Sequence, residues 1–157
     1  MRLSSYSDYA MRILIYLALR PDDLPTIAEI ADVYGISKNH LMKVVHQLGI
    51  GGYVETVRGR GGGLRLGKTP EQIRVGDVIR YTEQDLAIVE CMGDKDGCRL
   101  TPACTLKGVL GEALRAFLSV LDDYTLEDIV RQRRNLASLL GISAPTVLRS
   151  PAQNSEP

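Results

Sequence analysis

Apolar side chains recur at helical spacing along most of this chain. Tyr6, Tyr9, Ala10, Ile13, Leu14 and Leu17 share one helical face and predict a first helix over 7–20. Ser5 and Asp8 fit a capping box at its start, and Pro21-Asp22-Asp23 ends it. A second helix fits 26–34, where Thr26 and Glu29 form Thr-x-x-Glu and Ile27, Ala28, Ile30 and Ala31 supply the apolar face. Gly35 gives a short turn. Ser37 then caps a third helix over 37–48, with Leu41, Val44, Val45 and Leu48 inward and Lys38, Asn39, His40 and Lys43 on the other face. Helix, glycine turn and polar-faced helix form the helix-turn-helix pattern.

The period then shortens. Residues 52–66 read as strand, glycine-rich tip and strand, with Val54, Thr56, Leu64 and Leu66 in alternation. A hairpin at this place is a wing. Its tip, Arg58-Gly59-Arg60-Gly61-Gly62-Gly63, is not a phosphate-binding loop, because no Gly-Lys-Ser/Thr and no helix follow. It is either a flexible turn or a place where backbone and guanidinium groups approach a nucleic-acid groove, and the two arginines favour the latter.

Pro70 opens a connector, and Ile73, Val75, Val78 and Ile79 predict a short helix from about Val75 to Tyr81. Residues 82–100 are largely polar and read as a loop centred on Gly93-Asp94-Lys95-Asp96-Gly97. Thr101, Pro102 and Cys104 read as cap, first position and first turn of a long helix. Its stripe of Leu106, Val109, Leu110, Ala113, Leu114, Phe117, Leu118 and Leu121 is wide for so small a remainder. Packing against a second copy would bury it; an intrachain core is the alternative. Thr125 and Asp128 start a last helix over 126–140, and 141–157 reads as a disordered or loosely docked tail.

The expected fold is mainly α with a small β-wing. A winged helix-turn-helix over 1–68 is followed by a connector over 69–90, a cysteine loop over 91–104, dimerisation helices over 104–140 and the tail. At 157 residues, 45% apolar and 24% charged, the chain can bury one real core. No run approaches the roughly 18 apolar residues of a membrane span, and the first residues lack a signal-peptide core. A cytoplasmic protein with reduced thiols is expected. Net charge is zero but segregated: residues 37–68 carry Lys38, Lys43, Arg58, Arg60, Arg65 and Lys68 against Glu55 alone, whereas 69–157 carry ten basic and thirteen acidic side chains. The basic stretch is either a solvated face or the part that meets a polyanion.

Cys91, Cys98 and Cys104 are the only cysteines and fall within fourteen residues. An odd number excludes a closed set of disulfides. The spacing Cys-x6-Cys-x5-Cys lacks the tight pairs of zinc sites and the Cys-x-x-Cys of thiol oxidoreductases. An iron–sulfur centre suits it best; zinc and a thiol switch stay open. A helix N-terminus at Cys104 would favour its thiolate. A fourth ligand must come from elsewhere: Asp8, Glu90, His40, His46 or water.

Residues 7–10 (SDYA), 34–45 (YGISKNHLMKVV), 57–67 (VRGRGGGLRLG), 73–80 (IRVGDVIR) and 100–106 (LTPACTL) resemble the nitric-oxide-sensing, NsrR-type branch of the iron–sulfur winged-helix regulators, a family that also includes IscR. The resemblance runs from residue 1 to about 140. It implies a homodimeric repressor of double-stranded DNA with one cluster per subunit, 4Fe–4S or alternatively 2Fe–2S. The ligands would be Cys91, Cys98, Cys104 and Asp8 of the partner subunit, and nitrosylation would release DNA and derepress nitric-oxide-detoxification genes. Lys38, Asn39, His40 and Lys43 would meet the major groove and Arg58 and Arg60 the groove beside it. Two positions bear on the branch. The family's usual gap between the first two cysteines is five residues, and here it is six. Lys107 stands where IscR-type members carry a ligating histidine. An IscR-like sensor of iron–sulfur or redox status is the alternative. An electron carrier would leave the basic helix and wing without a task. An enzyme is not expected, because no acid/base constellation accompanies the cysteines.

Overall fold

The computed structural model describes residues 2–93 and 97–142. Seven α-helices and two strands are formed among these: α1 (Ser5–Leu19), α2 (Ile27–Tyr34), α3 (Lys38–Ile50), β1 (Val54–Val57), β2 (Gly63–Leu66), α4 (Val75–Thr82), α5 (Thr105–Asp122), α6 (Leu126–Ile129) and α7 (Arg133–Leu139). Short 3-10 turns lie at Pro70–Gln72, Glu90–Met92 and Thr101–Ala103. This is the expected mainly helical winged helix-turn-helix followed by a long helix.

α1 runs through the centre. Ala10, Ile13, Leu14 and Leu19 are fully buried, and the inward faces of α2, α3 and α4 close on them through Ile30, Leu41, Val44, Leu48 and Val78. Burying each such aliphatic side chain contributes about 1.5–3 kcal/mol. The cap of α1 differs from the expected Ser5–Asp8 box. Ser4 is the N-cap, and its Oγ accepts from the Ser7 amide at 3.2 Å. Asp8 instead lies one turn in and pairs with Arg12, four residues on, at 2.9 Å. The backbone is already helical at Ser5, so the cap falls one residue earlier.

α2 has the expected capping box of Thr26 and Glu29. Gly35 ends it with φ 62°, a left-handed conformation, and the Ile36 amide bonds back to Ala31 at 3.0 Å. That sharp reversal sets α3 across α2. The wing pairs antiparallel, Val54 opposite Leu66 and Thr56 opposite Leu64. Val54 and Leu64 are buried, whereas Arg58, Gly59 and Arg60 stand exposed at the tip.

α4 begins at Val75 as expected. Two later expectations fail. Cys104 does not lie in the first turn of the long helix: Thr101–Ala103 closes as a separate 3-10 turn, Cys104 is extended at φ −85° and ψ 104°, and it is the N-cap of α5. The last helix, expected over 126–140, is broken. α6 stops at Ile129, and Gln132, with ψ 48°, precedes α7. The break lets both halves dock: Leu126, Val130 and Ala137 are fully buried, and Arg133 donates to the Ala18 carbonyl and pairs with Glu127. Residues 94–96 of the cysteine loop and 143–157 of the tail lie outside the described residues.

Candidate nucleic-acid interface and cysteine site

α3 buries Leu41, Val44, Val45 and Leu48 and exposes Lys38, Asn39, His40, Met42, Lys43 and His46. Neither lysine nor the wing-tip Arg58 and Arg60 has a carboxylate partner among the described residues; Arg65, lower on the wing, is taken by Glu55 at 2.7 Å. Four unpaired cations therefore stand on the outer face of α3 and the tip of the wing. Such groups can neutralise phosphates, and Asn39 and His40 offer donors and acceptors suited to base edges.

Two tyrosines hold α3 from behind. Tyr6 of α1 donates to the Lys43 carbonyl at 3.3 Å, and Tyr81 of α4 donates to the Gln47 carbonyl at 2.7 Å. Tyr81 also packs against Tyr53, with ring centroids 5.5 Å apart and planes tilted by 53°. In the sequence Tyr6 belongs to the apolar face of the first helix and Tyr81 only marks the end of a short helix, so neither hydroxyl bond is signalled there. Tyr6 and Tyr81, with Lys43, His46 and Glu83, line an open cavity of about 660 Å³.

The cysteines follow α4. Glu83, its C-cap, leads into 84–93, and the turn carrying Cys91 packs on α5. Cys91 and Cys104 are partly buried, Cys98 is exposed, and none forms a disulfide. Cys104 stands at the N-cap of an 18-residue helix. This donor set fits a thiolate-held iron–sulfur group, because soft ligands gather on one loop-to-helix segment. It is incomplete by itself: among the described residues no group of three or more His, Cys, Asp or Glu side chains is placed to hold one metal ion. Asp8 is half exposed on α1, its carboxylate engaged by Arg12. Glu90 is exposed beside Cys91, and His40 and His46 are exposed on α3.

The sequence reading also missed Glu83. Its carboxylate accepts from the Ser4 amide at 2.8 Å, from Ser4 Oγ at 3.0 Å and from Ser7 Oγ. Ser7 Oγ in turn lies 2.7 Å from Thr82 Oγ1 in the buried interior. Burial works to raise the Glu83 pKa, but the hydrogen bonds from Ser7 and Ser4 outweigh it and hold the carboxyl below its ordinary value. Ser4-x-x-Ser7 has no acid three residues after the cap, which was the available signal that a carboxylate comes from elsewhere.

The comparisons agree with this architecture. The chain is 55% identical over 142 residues to the HTH-type transcriptional regulator NsrR of Bacillus subtilis, covering 89% of this chain and 97% of that protein. The NsrR of Halalkalibacterium halodurans is 49% identical over 142 residues, covering 89% and 97%. Among solved structures, T. potens IscR superposes with a TM-score of 0.70 at 26% identity, covering 87% of this chain and 90% of that one. CymR of B. subtilis, the global cysteine regulator, gives 0.61 at 28% identity, covering 84% and 98%. Residues 3–132 match the Rrf2 family, described as iron-dependent transcriptional regulators, and the chain belongs to that family as a regulator of the NsrR type.

Proposed function

We propose that the protein is a cytoplasmic, homodimeric repressor of double-stranded DNA that lets go of its operator when nitric oxide reaches an iron–sulfur cluster. Cys91, Cys98 and Cys104 of one subunit and Asp8 of the partner subunit would hold that cluster, as 4Fe–4S or alternatively 2Fe–2S. One observation carries the reading: α5, the helix that Cys104 opens, has no buried residue along its 18 positions. A helix so rich in leucine and valine calls for a second copy, and a second copy brings another Asp8 to a site with only three thiols.

Lys38 and Lys43 would hold phosphates while Asn39 and His40 meet base edges in the major groove, and Arg58 and Arg60 would approach the neighbouring minor groove. A two-fold dimer would read half-sites about one helical turn, or a multiple of it, apart. When bound, the cluster supplies iron to which nitric oxide can attach. A carboxylate is a weaker iron ligand than a thiolate, so Asp8 would be the ligand most easily displaced. Its release would loosen the exposed start of α1, and with it the hydroxyl of Tyr6 that steadies α3. A coupling of about 1–3 kcal/mol, roughly 5–150-fold in affinity, makes a usable switch.

The test is DNA retardation by anaerobically purified protein before and after nitric oxide, with Mössbauer spectra and native mass on the same sample. Tight binding that weakens on exposure, in a dimer with one cluster per chain, is the expected result. Equal affinity before and after would sink the sensing role.

A further inference from the structure

Among the described residues, the three other helix and 3-10 starts with a capping box are closed locally. Thr26 is answered by Glu29, Thr69 by Gln72 and Thr125 by Asp128, each three residues after its cap. In each the side chain at the third helical position returns to the amide of the cap residue. α1 is the exception. Its third position is Ser7, too short to reach back, and the acceptor for the Ser4 amide is Glu83, 79 residues away. A carboxylate at that point also answers the positive end of a 15-residue helix.

The source of this carboxylate is what gives it meaning. Glu83 is where the chain leaves α4 in extended conformation, φ −84° and ψ 122°, and begins the segment that carries Cys91. The serine it grips, Ser7, adjoins Asp8 and follows Tyr6, whose hydroxyl reaches α3. Two residues before Glu83 stands Tyr81, the other tyrosine bonded to α3. Glu83 therefore joins the root of the cysteine segment, the start of α1 and both supports of α3.

We propose that Glu83 is a positioning residue that couples the cysteine segment to α3 by capping α1 from outside. The inference rests on the cluster reading above. A segment drawn in by bound cysteines holds Glu83 on Ser4 and Ser7. A slackened segment withdraws it, the first turn of α1 frays, and Tyr6 loses its fixed position against Lys43. Cysteine-site occupancy is then read by α3 even though no cysteine lies on that helix.

The experiment compares wild type, Glu83→Ala, Glu83→Gln and Ser7→Ala, each cluster-loaded and cluster-free. It measures DNA affinity, visible absorbance and amide exchange over residues 4–8. Loaded Glu83→Ala should keep its absorbance yet bind DNA like cluster-free wild type, and exchange over 4–8 should be equally fast in those two samples. Glu83→Gln, which keeps an acceptor oxygen, should restore most of the difference. Ser7→Ala, which leaves the loop untouched, should lose part of it. If Glu83→Ala keeps the wild-type ratio of loaded to cluster-free affinity, with both affinities merely lowered, Glu83 is a structural cap only and the coupling is wrong. If wild type shows no cluster-dependent affinity at all, the sensing reading falls and the coupling falls with it.

Discussion

Asp8 shows how much a single residue's meaning depends on its neighbours. Read from the sequence it could be a cap, and a cap is lost at a cost of about 0.5–2 kcal/mol. With Ser4 in that role, the contact Asp8 makes is its pair with Arg12, four residues on and half exposed, worth about 0.2–0.5 kcal/mol. Asp8→Ala should therefore barely change the melting of cluster-free protein. Under the proposed ligation it should still change the cluster's visible spectrum and speed or redirect its reaction with nitric oxide. A wild-type spectrum and rate in a normally loaded Asp8→Ala dimer would remove Asp8 from the site. Glu83 makes a separate prediction about acid. Its folded pKa lies below the ordinary value of 4.5, so its contribution is complete above about pH 4.5 and disappears as pH falls through the folded value. Melting temperatures of wild type and Glu83→Gln should thus differ at neutral pH and converge in acid. A gap that does not shrink as the pH falls below 4.5 would contradict the sign.

At the scale of elements, local chemistry explains what was legible and what was not. Thr26, Glu29, Gly35 and the alternation of the wing each act within a few residues, so the helix-turn-helix and hairpin could be read directly. Cys104 could not, because Thr-Pro-Ala closes its own 3-10 turn before α5 begins. Nor could the break after Ile129, which is imposed by the docking of Val130, Ala137 and Arg133 on α1 from over 100 residues away. The cysteine cluster was plain in the sequence, whereas the grip of Glu83 on Ser4 and Ser7 and the tyrosine bonds to α3 are tertiary. The joint between α4 and α5 is of that kind. Arg80 clasps Asp122 with two bonds of 2.6 Å, the Val75 amide reaches the Tyr124 carbonyl at 2.9 Å, and a Cβ on Gly76 would collide with the Asp122 carboxylate. Gly76→Ala should push Asp122 off Arg80 and change the angle of α5 to the rest of the chain. The expected outcome is weaker DNA binding with a dimer mass unchanged; unaltered affinity would show that this joint does not set half-site geometry.

For the molecule as a whole, α5 divides its apolar residues between two faces. Leu110, Leu114, Phe117, Leu118 and Leu121 are half-buried against their own chain, and Leu114 and Phe117 line a cavity with Leu86 and Ile88 of the cysteine segment. Leu106, Val109, Ala113, Ala116 and Val120 are exposed and spaced three and four apart, the spacing that the proposed helix pair would use as its seam. The small residues in the middle would let two such helices approach closely. Substituting glutamate at both Val109 and Ala113 should therefore set like charges against each other across the two-fold axis and reduce the native mass to that of one chain, while Leu114→Ala should leave a dimer. The decisive readout is the cluster. The double variant alters no cysteine and no residue of α1, so a site completed within one chain would keep its visible absorption. A site that borrows Asp8 from the partner subunit should lose or change that absorption in step with dissociation, and recover it when concentration drives the chains back together. A monomer with the unaltered spectrum would show that the fourth ligand is intramolecular, whatever the dimer does on DNA.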